Sequence, residues 1–319
     1  MFDVVALGEL LMDLTYQGKS EHDKDLFEAN PGGAPANVVS CLSKLGRKTA
    51  FVGKVGNDYF GHRLRRVLEA MGVSTEGLVM DDKAPTSLAF VHLTRDGERS
   101  FSFYRTNGAD TRLHPEELKP SLFNTRLFHF GSLSLTDEPA RSATLHALAE
   151  VRRRGALVSY DPNLRPLLWR DLREAKEQIL GVMGQADIVK VSAEELEFLS
   201  GTSDVTLGSK GLFDKYRPKM LVVTLGDQGC YYRVASSEGQ VSGFTVDAID
   251  TTVAGDAFLG GLLFRLLESE TPFDQWSRHQ IVDAMCFANA VGALSTTKKG
   301  AIPALPTLES IMRLLGKRT

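Results

Sequence analysis

Three cysteines in 319 residues, Cys41, Cys230 and Cys286, are too few and too scattered for a disulfide framework, and no Cys-x-x-Cys pair offers a zinc site. Such a chain is expected in a reducing cytoplasm. Charge of one sign is also lacking. The 37 Lys and Arg against 40 Asp and Glu leave a net charge of −3, which provides no basic field for nucleic acid. No run reaches the roughly 18 apolar residues of a membrane span. The opening MFDVVALGELLMDL carries acids within its apolar run and no basic start, so it does not read as a secretion signal. The motifs HExxH, GxSxG and GxGxxG and the P-loop spacing are missing, and the seven histidines are scattered. What these gaps leave is a soluble, unprocessed chain, expected to form one large domain with an appendage.

What is present is an alternation of short apolar runs with longer helical patterns, the mark of βα units on a mostly parallel sheet. The runs 3–7, 49–52, 127–130, 157–160, 188–191 and 220–224 read as buried strands, and 35–45, 59–71, 140–153, 172–183 and 193–199 as helices. The expected fold is α/β and doubly wound. Residues 86–105 break the rhythm by alternating apolar and polar positions around Asp96-Gly97, and so predict a β-hairpin. With the polar stretch 15–30 it is expected to form a small sheet covering the end of the main sheet where ligands bind.

Polar groups recur just after the predicted strands. In DTTVAGDAF (250–258), apolar positions from Phe258 onward recur at helical spacing, so a helix starts near Ala254 and Asp256 lies in its first turn. A helix N-terminus with Ala254-Gly255 before the acid can hold an anion by its free N–H groups, while Asp256 accepts a proton from a hydroxyl. An acid that merely complements the helix dipole is the commoner occupant of that position, since short Gly-containing turns before helices are frequent. GGAPAN (32–37) gives a second Gly-rich helix entry, with Gly32 and Gly33 allowing close backbone approach and Asn37 offering an amide. Asp13 follows the first strand, Asn163 and Arg165 follow the fourth, Lys190 and Glu195 follow the fifth, and TLGDQG (224–229) follows the sixth. A site lining one edge of the sheet produces this pattern.

GGAPAN and DTTVAGDAF, in this order, resemble the two signatures of the PfkB family of carbohydrate kinases, also called the ribokinase family. The resemblance extends from GELLMD to KGAIPALP (299–306), and GERSFSFYR, SYDPNLRPLLW, KVSAEELEFLSG and FANAVGALS are most similar to bacterial fructokinases and the aminoimidazole riboside kinase. It implies a ribokinase-like three-layer αβα sandwich, a single domain over 1–319 with a small β lid built from insertions at about 14–30 and 86–106. It further implies ATP-dependent phosphorylation of a sugar with Mg²⁺, fructose first, with 2-keto-3-deoxygluconate, aminoimidazole riboside and ribose as alternatives within the family. A sugar-binding regulator without catalysis is the alternative outside it.

Carried over by position, the resemblance makes Asp256 the general base and the N–H groups of Val253, Ala254, Gly255 and Asp256 the anion hole. Asp13, Gly32, Gly33 and Asn37 would hold the sugar with Phe103, Arg105 and Arg165. Thr224, Leu225, Gly226, Asp227 and Gly229, with Lys190 and Asn289, would hold ATP. Glu195 would organise Mg²⁺ through water. The family's Asn-x-x-Glu is Ser192-Ala193-Glu194-Glu195 here, which hands the Asn contact to Ser192 or Lys190. A monovalent cation such as K⁺, as in some members, maps to Asp250, Thr252, Ser295, Lys298, Gly300 and Ala304. Val253 replaces a common Gly. It is tolerable if its φ is negative, because the N–H and not the side chain would act. The outer face of the lid is a candidate surface for a second copy.

Overall fold

The computed structural model describes residues 1–93 and 99–316. Its strands are β1 (Phe2–Leu7), β2 (Leu11–Lys19), β3 (Asp25–Gly32), β4 (Thr49–Gly56), β5 (Ser74–Asp81), β6 (Leu88–Leu93), β7 (Arg99–Tyr104), β8 (Thr125–Phe130), β9 (Leu157–Tyr160), β10 (Ile188–Ser192), β11 (Met220–Thr224), β12 (Cys230–Val234) and β13 (Ser237–Val241). The helices are α1 (Ala34–Lys44), α2 (Tyr59–Ala70), α3 (Ala140–Arg153), α4 (Leu172–Met183), α5 (Ala193–Ser200), α6 (Val205–Tyr216), α7 (Ala254–Glu268), α8 (Arg278–Ser295) and α9 (Leu308–Gly316). The main sheet runs β13-β12-β11-β10-β9-β8-β1-β4-β5, parallel from β11 to β5, with β12 and β13 closing one edge antiparallel.

Each central strand feeds two cores because its side chains alternate between faces. Val4 and Ala6 join a cluster with α1, α7 and α8, whereas Val5 and Leu7 join another with α3 and α4. The result is helix, sheet, helix. The chain winds outward from β1 through β4 to β5, then returns to β8 on the other side of β1. That reversal opens a crevice beyond the carboxyl ends of β1 and β8, the place where open α/β sheets take ligands.

The second sheet, β3-β2-β6-β7, stands apart. β2 follows β1 after Gly8-Glu9-Leu10, and β3 runs directly into Gly33 and α1. The predicted hairpin is β6 and β7; its Asp96-Gly97 turn lies outside the described residues. Among the described residues no helix is long and apolar enough to cross a membrane.

Candidate active site

Helix α7 starts where the periodicity places it. Its N-cap, Val253, has φ −103° and ψ 3°, on the right-handed side of the map, so a β-branched residue carries no left-handed strain there. The Val253 side chain is wholly buried in the core with α7 and α8. Its neighbours Ala254, Gly255 and Asp256 face a cavity of about 1200 Å³. No side chain caps this helix. Its first N–H groups therefore end the macrodipole at the cavity wall, where an anion can meet them.

Asp256 is buried and held at both oxygens. Asn37 Nδ2 donates to Oδ2 at 2.8 Å, and Asn163 Nδ2 to Oδ1 at 3.3 Å. Burial, reinforced by the charge of Asp161, pushes its pKa up to about 7, against the opposing pull of Asn37, Lys190 and Arg165. A carboxylate tuned to neutrality can take a proton from a hydroxyl and release it again.

Beside the helix start, Lys190 of β10 pairs with Asp161 just past β9 at 2.8 Å, both nearly enclosed. Burial alone would lower the Lys190 pKa, but Asp161, Glu195 and Asp256 together raise it. A Cβ on Gly255 would come within 3.0 Å of Lys190 Nζ, so the glycine lets the ammonium approach the helix start. Glu195 Oε1 accepts the Leu164 N–H at 2.6 Å and Oε2 the Ser192 N–H at 2.8 Å, while the Ser192 hydroxyl caps α5. The turn Thr224–Gly229 lines the same cavity beside Asn289. Asn289 gives its amide N–H groups to the Val241 and Ser242 carbonyls, which sets the course of the segment leading to Asp250.

The Gly-rich entry joins the site through Asn37, in the first turn of α1, whose amide reaches Asp256. A Cβ on Gly32 would sit 2.3 Å from Asp13 Oδ2, and one on Gly33, at φ 120°, would sit 2.4 Å from the Glu9 carbonyl. Neither position admits a side chain. Asp13, Ala89 and Phe103 are paired across β2, β6 and β7 and share the face of the small sheet. Burial pushes the Asp13 pKa up to about 7, with Arg165 opposing and Glu9 adding to the rise. Asn37 Oδ1 and Glu9 Oε2 are buried with no protein partner, an arrangement suited to a ligand rich in hydroxyls.

Arg105 is committed to protein partners. Its guanidinium donates to Asp110 Oδ2 at 2.6 Å, to Thr136 Oγ1 at 2.8 Å and to the Leu133 carbonyl at 2.8 Å, tying the turn after β7 to the one after β8. Arg105→Met should strand the buried Asp110 carboxylate and lower stability by roughly 3–5 kcal/mol. A shifted denaturant midpoint would register the loss; a changed sugar KM at unchanged stability would return Arg105 to the sugar.

Asp250 links two segments: Oδ1 accepts the Thr252 N–H and hydroxyl, and Oδ2 the Gly300 N–H at 3.1 Å. The Ser295 hydroxyl bonds the Gly292 carbonyl, Lys298 is exposed, and Ala304 lies in a short 3-10 turn. These residues lie on two neighbouring segments with Asp250 at the joint.

The profile of the pfkB family of carbohydrate kinases matches residues 1–308. The chain belongs to that family. This pfkB kinase is 48% identical over 319 residues to "Fructokinase-1" of Zea mays, a match covering 98% of each protein. Among solved structures it is similar to a fructokinase from Xylella fastidiosa with bound ATP, at TM-score 0.91 and 33% identity, covering 100% of this chain and 99% of that one. A Vibrio cholerae fructokinase bound to fructose, ADP and calcium matches at TM-score 0.88 and 36% identity, over 98% of this chain and 99% of that one. The aminoimidazole riboside kinase of Salmonella enterica matches at TM-score 0.85 and 34% identity, over 98% and 99%. The fold of the pfkB kinase is thus ribokinase-like.

Two residues of the site went unread in the sequence. Glu9 accepts the Ala34 N–H at 2.8 Å and so caps α1, which Gly33 cannot do. Asp161 neutralises Lys190. Each was marked only by its place just beyond a buried strand of the pfkB kinase.

Proposed function

We propose that this pfkB kinase transfers the terminal phosphoryl group of ATP to fructose, giving fructose 6-phosphate and ADP. The observation that carries the proposal is Asp256: a carboxyl with a pKa near 7, held by two amides beside an uncapped helix N-terminus on a nucleotide-sized cavity. Asp256 takes the proton of the attacking hydroxyl. The N–H groups of Val253 to Asp256, with Lys190, meet the charge developing on the phosphoryl oxygens. Asp13, Gly32, Gly33, Asn37 and Phe103 hold the sugar, with Arg165 between Asp13 and Asp256, both of which feel its charge. Thr224 to Gly229 hold the nucleotide. ATP with a divalent cation, Mg²⁺ in this reading, supplies the phosphoryl group and offsets part of its charge. Glu195 lies on the cavity wall where it can order that cation's waters. A monovalent cation between the 250–252 and 295–304 segments would be held mainly by backbone carbonyls.

Fructose as the acceptor rests on the full-length similarity to proteins named fructokinase. ADP release from the purified protein with fructose, ribose, 2-keto-3-deoxygluconate and aminoimidazole riboside should give the highest kcat/KM with fructose. A higher value with another substrate moves the assignment within the family. Sugar binding with no turnover of any of them would make the chain a non-catalytic sugar sensor.

The chain works as one kinase domain whose small sheet is the lid, closing over the sugar so that ATP does not meet water. The lid's outer face carries a row of aromatic rings, Tyr16, Phe27, Phe90 and Tyr104, with centroids 5.8, 5.4 and 5.3 Å apart. Three of the four are exposed. A second copy fits such a face, and sedimentation should report a dimer that Phe27→Asp dissociates; a monomeric wild type would remove this role.

A further inference from the structure

We propose that Asn163 is a positioning residue that fixes the orientation of the Asp256 carboxylate, and that it does so from a left-handed backbone position. Asn163 has φ 46°, in the left-handed region. The other non-glycine residues with positive φ among those described, Asp23, Asn107 and Arg217, are exposed turn or cap positions. Asn163 alone among them lines the cavity.

Its conformation is imposed from both sides. The Pro162 carbonyl accepts the Ser132 N–H at 3.1 Å, the Asn163 N–H donates to Asp161 Oδ1 at 3.2 Å, and the Leu164 N–H donates to Glu195 Oε1 at 2.6 Å. With both neighbours anchored, the residue between them has little freedom of its own. Glycine would fit this backbone without strain, so the presence of a side chain points to a use for it. That use is visible in the contact of Nδ2 with Asp256 Oδ1 at 3.3 Å, opposite the Asn37 amide on Oδ2. Two donors, one per oxygen, set the plane of the carboxylate. The second lone pair of each oxygen is left to face an incoming hydroxyl. An amide suits the role because it donates without bringing a full charge, so it orients the carboxylate without the strong pKa lowering that a cation would cause.

This inference rests on the reading of Asp256 as the base. Three variants test it, each assayed for kcat and KM with fructose and ATP and for thermal midpoint. Asn163→Gly should melt close to the wild-type temperature, since glycine accepts this backbone, while kcat falls about tenfold or more and both KM values stay within about threefold. Asn163→Asp keeps the shape and the tolerance of left-handed backbone but turns the donor into an acceptor, and its kcat should fall at least as far. Wild-type kcat within twofold for either variant overturns the proposal, as does a loss shared equally by kcat and KM. Asp256→Asn separates the two ideas. If it is inactive while Asn163→Gly is fully active, only the positioning role fails; if it is active, the reading of the base fails first.

Discussion

Asp256→Asn should lower kcat about 10²–10⁴-fold while ATP still binds, because a positioned general base contributes about that much and the helix N-terminus remains. The pH dependence should carry the same signature. With a pKa near 7 the base is half ionised at neutrality, so wild-type kcat/KM should rise with pH and level off above about 7. Stability runs the other way. The folded value of about 7 lies above the ordinary 3.8, so between these pH values the folded chain keeps a proton that the unfolded chain has released. The contribution of this group is fullest at low pH and is lost as pH rises through 7. Asn carries no charge to bury, so the variant should melt higher than wild type at pH 8, and the advantage should shrink toward pH 5. A difference independent of pH would mean that the buried charge is not what costs stability, and unchanged turnover would remove Asp256 from catalysis.

Lys190→Met should damage both fold and chemistry. Asp161 has 1% of its side chain exposed, and its ion pair with Lys190 is the counterweight to that burial. Stranding one partner of a buried pair costs roughly 3–5 kcal/mol, well above the few tenths expected of an exposed pair. The same ammonium restrains the rise of the Asp256 and Glu195 pKa values, so the residual pH–rate midpoint should move above 7. Adding Asp161→Leu should restore the denaturant midpoint without restoring turnover. A Lys190→Met protein as stable as wild type would show that the pair carries no net energy.

The central fold was legible because β1, β4, β8, β9, β10 and β11 are buried on both faces and announce themselves as short apolar runs bounded by turns. β13, Ser237–Val241, is an edge strand whose alternate positions meet water, and its SEGQV carries no apolar run to detect. α8 buries residues on nearly every side, from Ile281 through Ala284, Phe287, Val291 and Ser295, so periodicity marks it poorly. The start of α7 and the sign of φ at Val253 followed from local rules. Partner choice did not. Asn37 meets Asp256 across 219 positions, and Lys190 meets Asp161 across 29. Residue types suggested that these groups belong together, but distance and protonation depend on packing. Arg105 illustrates the gap: nothing in its sequence position announced the buried ion pair with Asp110, five residues on.

The β2–β3 hairpin leaves the large sheet after β1 and runs into helix α1 at Ala34, and a hydrogen bond from the Ala34 N–H to Glu9 Oε1 joins the two ends. Pairing of β2 with β6 and the Arg63 guanidinium on the Ala29 carbonyl tie the rest of the hairpin to the same frame. Because Asp13, Gly32 and Gly33 lie within a few residues of the Glu9–Ala34 bond, they sit at the root of the hairpin, and their spacing follows the main body of the fold rather than the hairpin tip.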